Sequence, residues 1–133
     1  MALSDPARKR AQGDVGRAAD MLLSHLRWRR EVGADELLHS FSYPELPEVL
    51  RCYPQNYHKT DFAGRPVWIE RLGRLQVGPL MRATTFARFL TYHVWQYERC
   101  VRTRMPAAAA AAGALVEQSV FGALIFFFCF CFF

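Results

Sequence analysis

Charge is missing from the end of this 133-residue sequence: Val120 to Phe133, VFGALIFFFCFCFF, has no acidic or basic residue, and from Met105 onward Glu117 is the sole charge. Also missing is an apolar run of the roughly 20 residues that cross a bilayer as a helix, because Glu117 to Ser119 stop the tail from extending backwards. Met1 to Gly13 carries basic groups with no apolar core behind them, so no signal peptide is read there. Cysteine is sparse. Cys129 and Cys131 form a C-x-C without a second pair or a nearby histidine, and with Cys52 and Cys100 they match neither a zinc site nor a disulfide framework. Free thiols and a reducing, cytoplasmic compartment are expected. No Walker loop, zincin helix or nucleophile elbow is present. His58 and Asp61 lack a nucleophile and a third partner, so no catalytic residue, metal or cofactor is expected and the chain is read as a non-enzyme. Finger spacing, a helix-turn-helix pattern and RNA-binding aromatic motifs are absent too, which argues against nucleic acid as a partner.

What is present points to one folded domain. The apolar fraction is 52%, and the net charge of +5 is concentrated early, with seven basic residues between Arg8 and Arg30. That distribution suits a solvated helix face or attraction to an acidic surface. Asp14 is a good N-cap for a helix over 15–32 in which Val15, Ala18, Ala19, Leu22, Leu23 and Leu26 recur at helical spacing, and Gly33 fits its end. A further turn over 35–40 and a short helix over 47–52 opened by Pro47 follow. After a short helical segment over 77–82, Thr84 or Thr85 caps a second long helix. Its expected apolar stripe is Phe86, Phe89, Leu90, His93, Val94, Tyr97 and Val101, with Arg88, Glu98 and Arg102 turned away. Pro106 ends or kinks that helix and the alanine run Ala107 to Ala112 restarts it, with Gly113 weakening the middle of the continuation. The tail beyond Ser119 reads as a short membrane anchor, a buried strand or, preferably, a stretch outside the evolved fold.

The segment YPQNYHKTDFAGRPVWIERLG, from Tyr53 to Gly73, carries the functional signal. Two extended pieces flank a turn over Asp61 to Gly64, and Pro66 keeps Arg65 extended. Trp68 faces opposite to Val67 and Ile69, so Tyr57 and Trp68 lie on facing arms of a hairpin. Two such rings beside polar groups can hold a quaternary ammonium or a phosphate, or can simply fill a core.

The pieces DVGRAADMLLSHLRWRREVGAD, YPQNYHKTDFAGRPVWIERLG, ATTF, VWQYE and RMPAAAAAAGALVEQS, in this order, resemble the CRAL-TRIO lipid-binding family, in particular its yeast- and plant-type phosphatidylinositol/phosphatidylcholine transfer proteins. The resemblance runs from about Asp14 to Ser119. It implies an α/β fold: a helical region over 14–52 and the amino-terminal part of a lipid-binding domain over 53–119, behind a disordered start over 1–13 and ahead of an apolar, non-native tail over 120–133. It implies binding of one phospholipid and its transfer between membranes, with no covalent chemistry, by a monomer peripheral to the Golgi or plasma membrane. Tyr57, Trp68, Tyr97 and Ser119 fall where the family contacts a phosphocholine headgroup. Trp68 stands in place of a tyrosine, giving a stronger cation–π face but no phenolic hydroxyl. Phe121 stands in place of a threonine, at a cost of about 1 kcal/mol for one phosphate hydrogen bond. The basic residue that would assist a phosphoinositide has only Arg8 and Arg10 as candidates. The family continues well beyond Ser119, so transfer is expected to be impaired by truncation. The alternatives are a membrane-associated interaction module and an inactive fragment.

Overall fold

Capping residues set the limits of the first helix. In a computed structural model, which describes residues 14–124 and the backbone of 129–131, α1 spans Val15–Glu31. Asp14 stays extended, and its Oδ1 accepts the Arg17 amide at 3.0 Å, satisfying one of the donors left open at a helix start. Arg29 and Arg30 occupy the last turn, where positive charge complements the carbonyl end, and Gly33 follows at φ 64. Arg29 also pairs with Asp35 at 2.6 Å. The short helix α2, Leu37–Ser40, ends this part, and the chain divides into two compact units between His39 and Ser40. The expected disordered start and the candidate residues Arg8 and Arg10 lie outside the described residues.

The second unit opens with α3, Leu46–Cys52, which has proline in its first turn as the sequence predicts. Val49 and Cys52 from this helix, Tyr53 just after it and Leu80 form a buried cluster, against which Tyr43, Ala83 and Phe89 pack. Leu80 comes from α4, Val77–Ala83, and Phe89 from α5, Phe86–Arg99, whose N-cap is Thr85. Glu45 ties the same region together. Its two carboxylate oxygens accept Arg88 Nε at 2.5 Å and Arg88 Nη2 at 3.0 Å, and Thr84 donates to it at 3.2 Å. Tyr43 in turn donates to Thr84 at 3.0 Å. Hydrogen bonding to Arg88 is the largest cause that holds the Glu45 carboxyl down to about 2.

Strands β1, Gln55–Thr60, and β2, Pro66–Glu70, form the expected antiparallel hairpin, with Tyr57 paired to Trp68. Asp61 staples the turn: it accepts the Ala63 and Arg65 amides and the Arg65 guanidinium, at 2.7 to 3.0 Å. Gly64 closes it at φ 76. Strand β3, Val120–Leu124, then adds parallel to β2, and β4, Cys129–Cys131, adds antiparallel to β3, giving the order β1-β2-β3-β4. A strand is therefore the form taken by 120–124 within the apolar tail; residues 125–128 and 132–133 lie outside the described set. Among the described residues no helix is long and apolar enough to cross a membrane.

Three expectations for the crossover from β2 to β3 need correction. The helix does not end at Pro106: a π-helical turn, Cys100–Arg104, in which the Met105 amide reaches back to the Cys100 carbonyl, leads directly into the alanine helix. The wider turn accommodates a ring that would crowd an α-helical carbonyl four residues earlier. The alanine helix α6, Met105–Ala112, ends at Gly113, whose φ of 63 makes it a left-handed C-cap and not a weak point inside the helix. Finally, the expected stripe on α5 is only partly the buried face: Phe89, His93 and Val94 are half-buried, and Phe89 packs on the core. Phe86, Leu90, Tyr97 and Val101 are exposed, whereas Tyr92 and Gln96 are buried, and so is Glu98, which was expected in solvent and pairs with Arg102 at 3.5 Å. Aromatic stacking selects that face: Tyr92 lies 4.9 Å from Tyr43, nearly parallel to it. Cys52 and Cys100 are buried free thiols; the side chains of Cys129 and Cys131 lie outside the described set.

Candidate functional site

Strand pairing builds the site. Register places Tyr57, Trp68 and Phe121 side by side across β1, β2 and β3. Residues in such a row share one face of the sheet, and each strand's next inward position is two residues away. Glu70 therefore follows Trp68 on that face, and Ser119 precedes Phe121 at the mouth of β3. From α5, His93, Gln96 and Tyr97 face the same space. Together these residues line a cleft of about 250 Å³.

All four residues singled out in the sequence, Tyr57, Trp68, Tyr97 and Ser119, meet at this cleft. They are not equally placed. Trp68 is buried, Tyr57 half-buried, and Tyr97 and Ser119 lie at the exposed rim. Tyr57 and Trp68 meet edge to face with centroids 4.9 Å apart, and Trp68 meets His93 in a similar geometry at 6.3 Å. Phe121, half exposed, contributes a ring where the resemblance implies a hydroxyl.

Hydrophobic periodicity could not have revealed the polar part of the lining. Glu70 accepts the Trp68 indole N–H at 2.8 Å on one carboxylate oxygen and the Tyr53 hydroxyl at 2.5 Å on the other. Burial, then that hydrogen bond, push the Tyr53 phenol upward, so it remains a donor. The indole N–H thus fixes the ring plane of Trp68, in place of a phenolic hydroxyl free to meet a ligand. Gln96 donates to the Tyr92 hydroxyl at 2.7 Å, while its Oε1 is buried without a hydrogen-bond partner among the described residues. His93 is held neutral at pH 7 because burial lowers its pKa, opposed in part by the Glu70 charge. Arg104 stacks over Tyr57 at 4.9 Å. Burial raises the Tyr57 phenol, with Cys100 adding to the effect and Arg104 opposing it. The one sequence signal for Glu70 is its spacing from Trp68, since i and i+2 share a strand face.

Aromatic faces beside a carboxylate and an amide can hold a small charged or polar group, and an open cleft of this size suits part of a ligand better than a whole lipid. Helices and a mixed sheet framing such a cleft make this a partial α/β domain of a binding type. No family model matches the chain. Similarity to curated proteins is strong, however. The chain is 45% identical over 106 residues to a phosphatidylinositol/phosphatidylcholine transfer protein, SFH4, of Arabidopsis thaliana, covering 80% of this chain and 17% of the relative. It is 52% identical over 87 residues to SFH13 of the same plant, covering 65% of this chain and 14% of the relative. It is 44% identical over 106 residues to the SEC14 cytosolic factor of Candida glabrata, covering 80% of this chain and 35% of the relative. On that similarity the chain belongs to the CRAL-TRIO family, with the phosphatidylinositol/phosphatidylcholine transfer proteins. It spans about a third or less of the length of these relatives.

Proposed function

We propose that this chain binds a phospholipid through its headgroup, as the names of its relatives suggest, and works at membrane surfaces from the cytosol without catalysing a reaction. One observation carries the reading: Tyr57 and Trp68 from two strands, Tyr97 from a helix and Ser119 just before β3 converge on a single cleft. In this reading the aromatic rings take the cationic end of the headgroup and Ser119 hydrogen-bonds the phosphate. Phe121 supplies no second hydroxyl, so the phosphate is held by fewer bonds than the resemblance implies.

Retention of a whole lipid is a separate matter. Each buried CH₂ contributes about 0.8 kcal/mol, so acyl chains dominate the affinity of an enclosed phospholipid. The described cleft, at about 250 Å³, is smaller than the ~300–1,000 Å³ of ordinary small-molecule pockets. The chain is therefore proposed to recognise headgroups while transferring lipid poorly, and to act as a monomer. Vesicle-to-vesicle transfer of phosphatidylcholine tests the second half of this reading: a rate near that of the protein-free control is expected. Binding of a short-chain phosphatidylcholine tests the first half. Saturable binding that is lost in Trp68→Ala supports it, and absence of saturable binding to the wild-type chain would refute it.

A further inference from the structure

Helix α1 presents a face that the cleft does not account for. At 3.6 residues per turn, Val15, Leu23, Leu26, Arg27 and Arg30 fall within about a third of its circumference. Val15 is 68% exposed, Leu23 51% and Leu26 48%, so three aliphatic side chains share one side of the helix in contact with water. The inward side of α1 is a different one: Ala18 is buried, and Arg29 is held by Asp35. A single exposed leucine is ordinary, but two leucines and a valine on one helix face mark an interaction surface.

Charge defines the partner. Arg27 and Arg30 are exposed and make no ion pair among the described residues. The helix holds four arginines against Asp20 and Glu31, both of which fall outside this face, and Arg8, Lys9 and Arg10 precede it in the sequence. An anionic bilayer surface offers both halves of what the face needs. Its headgroups take the guanidinium groups, and the acyl boundary just beneath takes the aliphatic side chains. Arginine stems can lie along that boundary while their heads stay among the headgroups. Nucleic acid would pair with the arginines through its phosphates but leave the three aliphatic side chains in water.

We propose that α1 lies on anionic membrane surfaces by this face, with Leu23 and Leu26 entering the acyl boundary and Arg27 and Arg30 holding anionic headgroups. The proposal rests on the reading of the chain as one that works at membrane surfaces, and it does not depend on the cleft. Flotation of the full chain with vesicles of phosphatidylcholine, alone or with about a third phosphatidylserine, tests it. The wild-type chain is expected to partition onto the anionic vesicles at least about tenfold more strongly. Leu23→Ser combined with Leu26→Ser should weaken that partition about tenfold. Arg27→Gln combined with Arg30→Gln should weaken it about twentyfold, from about fivefold per basic residue. Circular dichroism compares both variants with wild type, and Leu26→Trp, which keeps the face apolar, should bind at least as strongly as wild type. Equal binding to the two vesicle types, wild-type binding by either double variant, or weakened binding by Leu26→Trp overturns the proposal and leaves the cleft untouched. Binding to neither vesicle type overturns the membrane-surface reading and the proposal together. Tighter binding to a short DNA duplex, kept in the leucine variant and lost in the arginine variant, overturns it in favour of nucleic acid.

Discussion

Replacing Trp68 by Phe isolates the bond that orients the site. Trp68 is 7% exposed, and its indole N–H donates to Glu70 at 2.8 Å, so Phe keeps a ring in the cleft and removes that donor. Hydrogen bonds to charged groups contribute about 1.5–3 kcal/mol. Glu70 retains the Tyr53 hydroxyl and lines an open cleft that water can enter, so the expected loss lies near the low end, about 1.5 kcal/mol. For a chain of this length, between the ranges quoted for small and larger domains, that corresponds to a fall in Tm of roughly 5–8 °C. Urea unfolding followed by far-ultraviolet circular dichroism measures it, since the signal does not depend on which tryptophan remains. A double-mutant cycle with Glu70→Gln assigns the loss to the pair, and a coupling near 1 kcal/mol or above is expected. A Trp68→Phe variant within about 0.3 kcal/mol of wild type, or a coupling of zero, would refute the claim that Glu70 holds the indole.

The Glu45–Arg88 clamp predicts an acid limb of stability. The Glu45 carboxyl titrates at about 2 in the folded chain against about 4.3 when unfolded, so its contribution is present above the higher value and disappears as pH falls towards the lower. Urea midpoints measured between these pH values should fall less steeply in Glu45→Gln than in wild type. Gly113→Ala should cost about 1 kcal/mol, the cost of forcing a side chain into the left-handed region, since a Cβ there meets nothing within 4 Å. Gly64→Ala should cost more, because its Cβ would also meet that of Ala112 at 3.2 Å; equal losses in the two variants would count against that contact. Asp14→Ala should cost about 1 kcal/mol through loss of the N-cap, seen as reduced helicity and a lower urea midpoint.

Local chemistry made much of this architecture legible. Asp14, Gly33, Pro47 and Thr85 mark helix ends because each acts on its immediate neighbours, and the Tyr57–Trp68 pairing follows from a short turn joining two extended pieces. The face of α5 was only partly legible: Phe89, His93 and Val94 turn inward as expected, but the fully buried positions do not follow the stripe. Counting apolar residues favours the Phe86–Val101 stripe, but long-range stacking of Tyr92 on Tyr43 determines the buried side and draws Gln96 inward with it. The four headgroup candidates came from resemblance, and their meeting point depends on β3 lying beside β2. Glu70 and Gln96 escaped notice for a plain reason: charged and amide side chains in periodic segments are ordinarily solvated, and burial here rests on partners distant in sequence or offset by one turn.

The parallel pairing of β2 with β3 joins residues about 50 positions apart, whereas the β1–β2 hairpin closes over a few. Closing the longer loop has the larger entropic penalty, and contacts of high sequence separation form slowly. Tyr57 and Trp68 can therefore meet early, as a local event, while Ser119 reaches them last, after the intervening helices have consolidated. Topology thus favours one order of assembly: aromatic wall first, the Ser119 rim at the end.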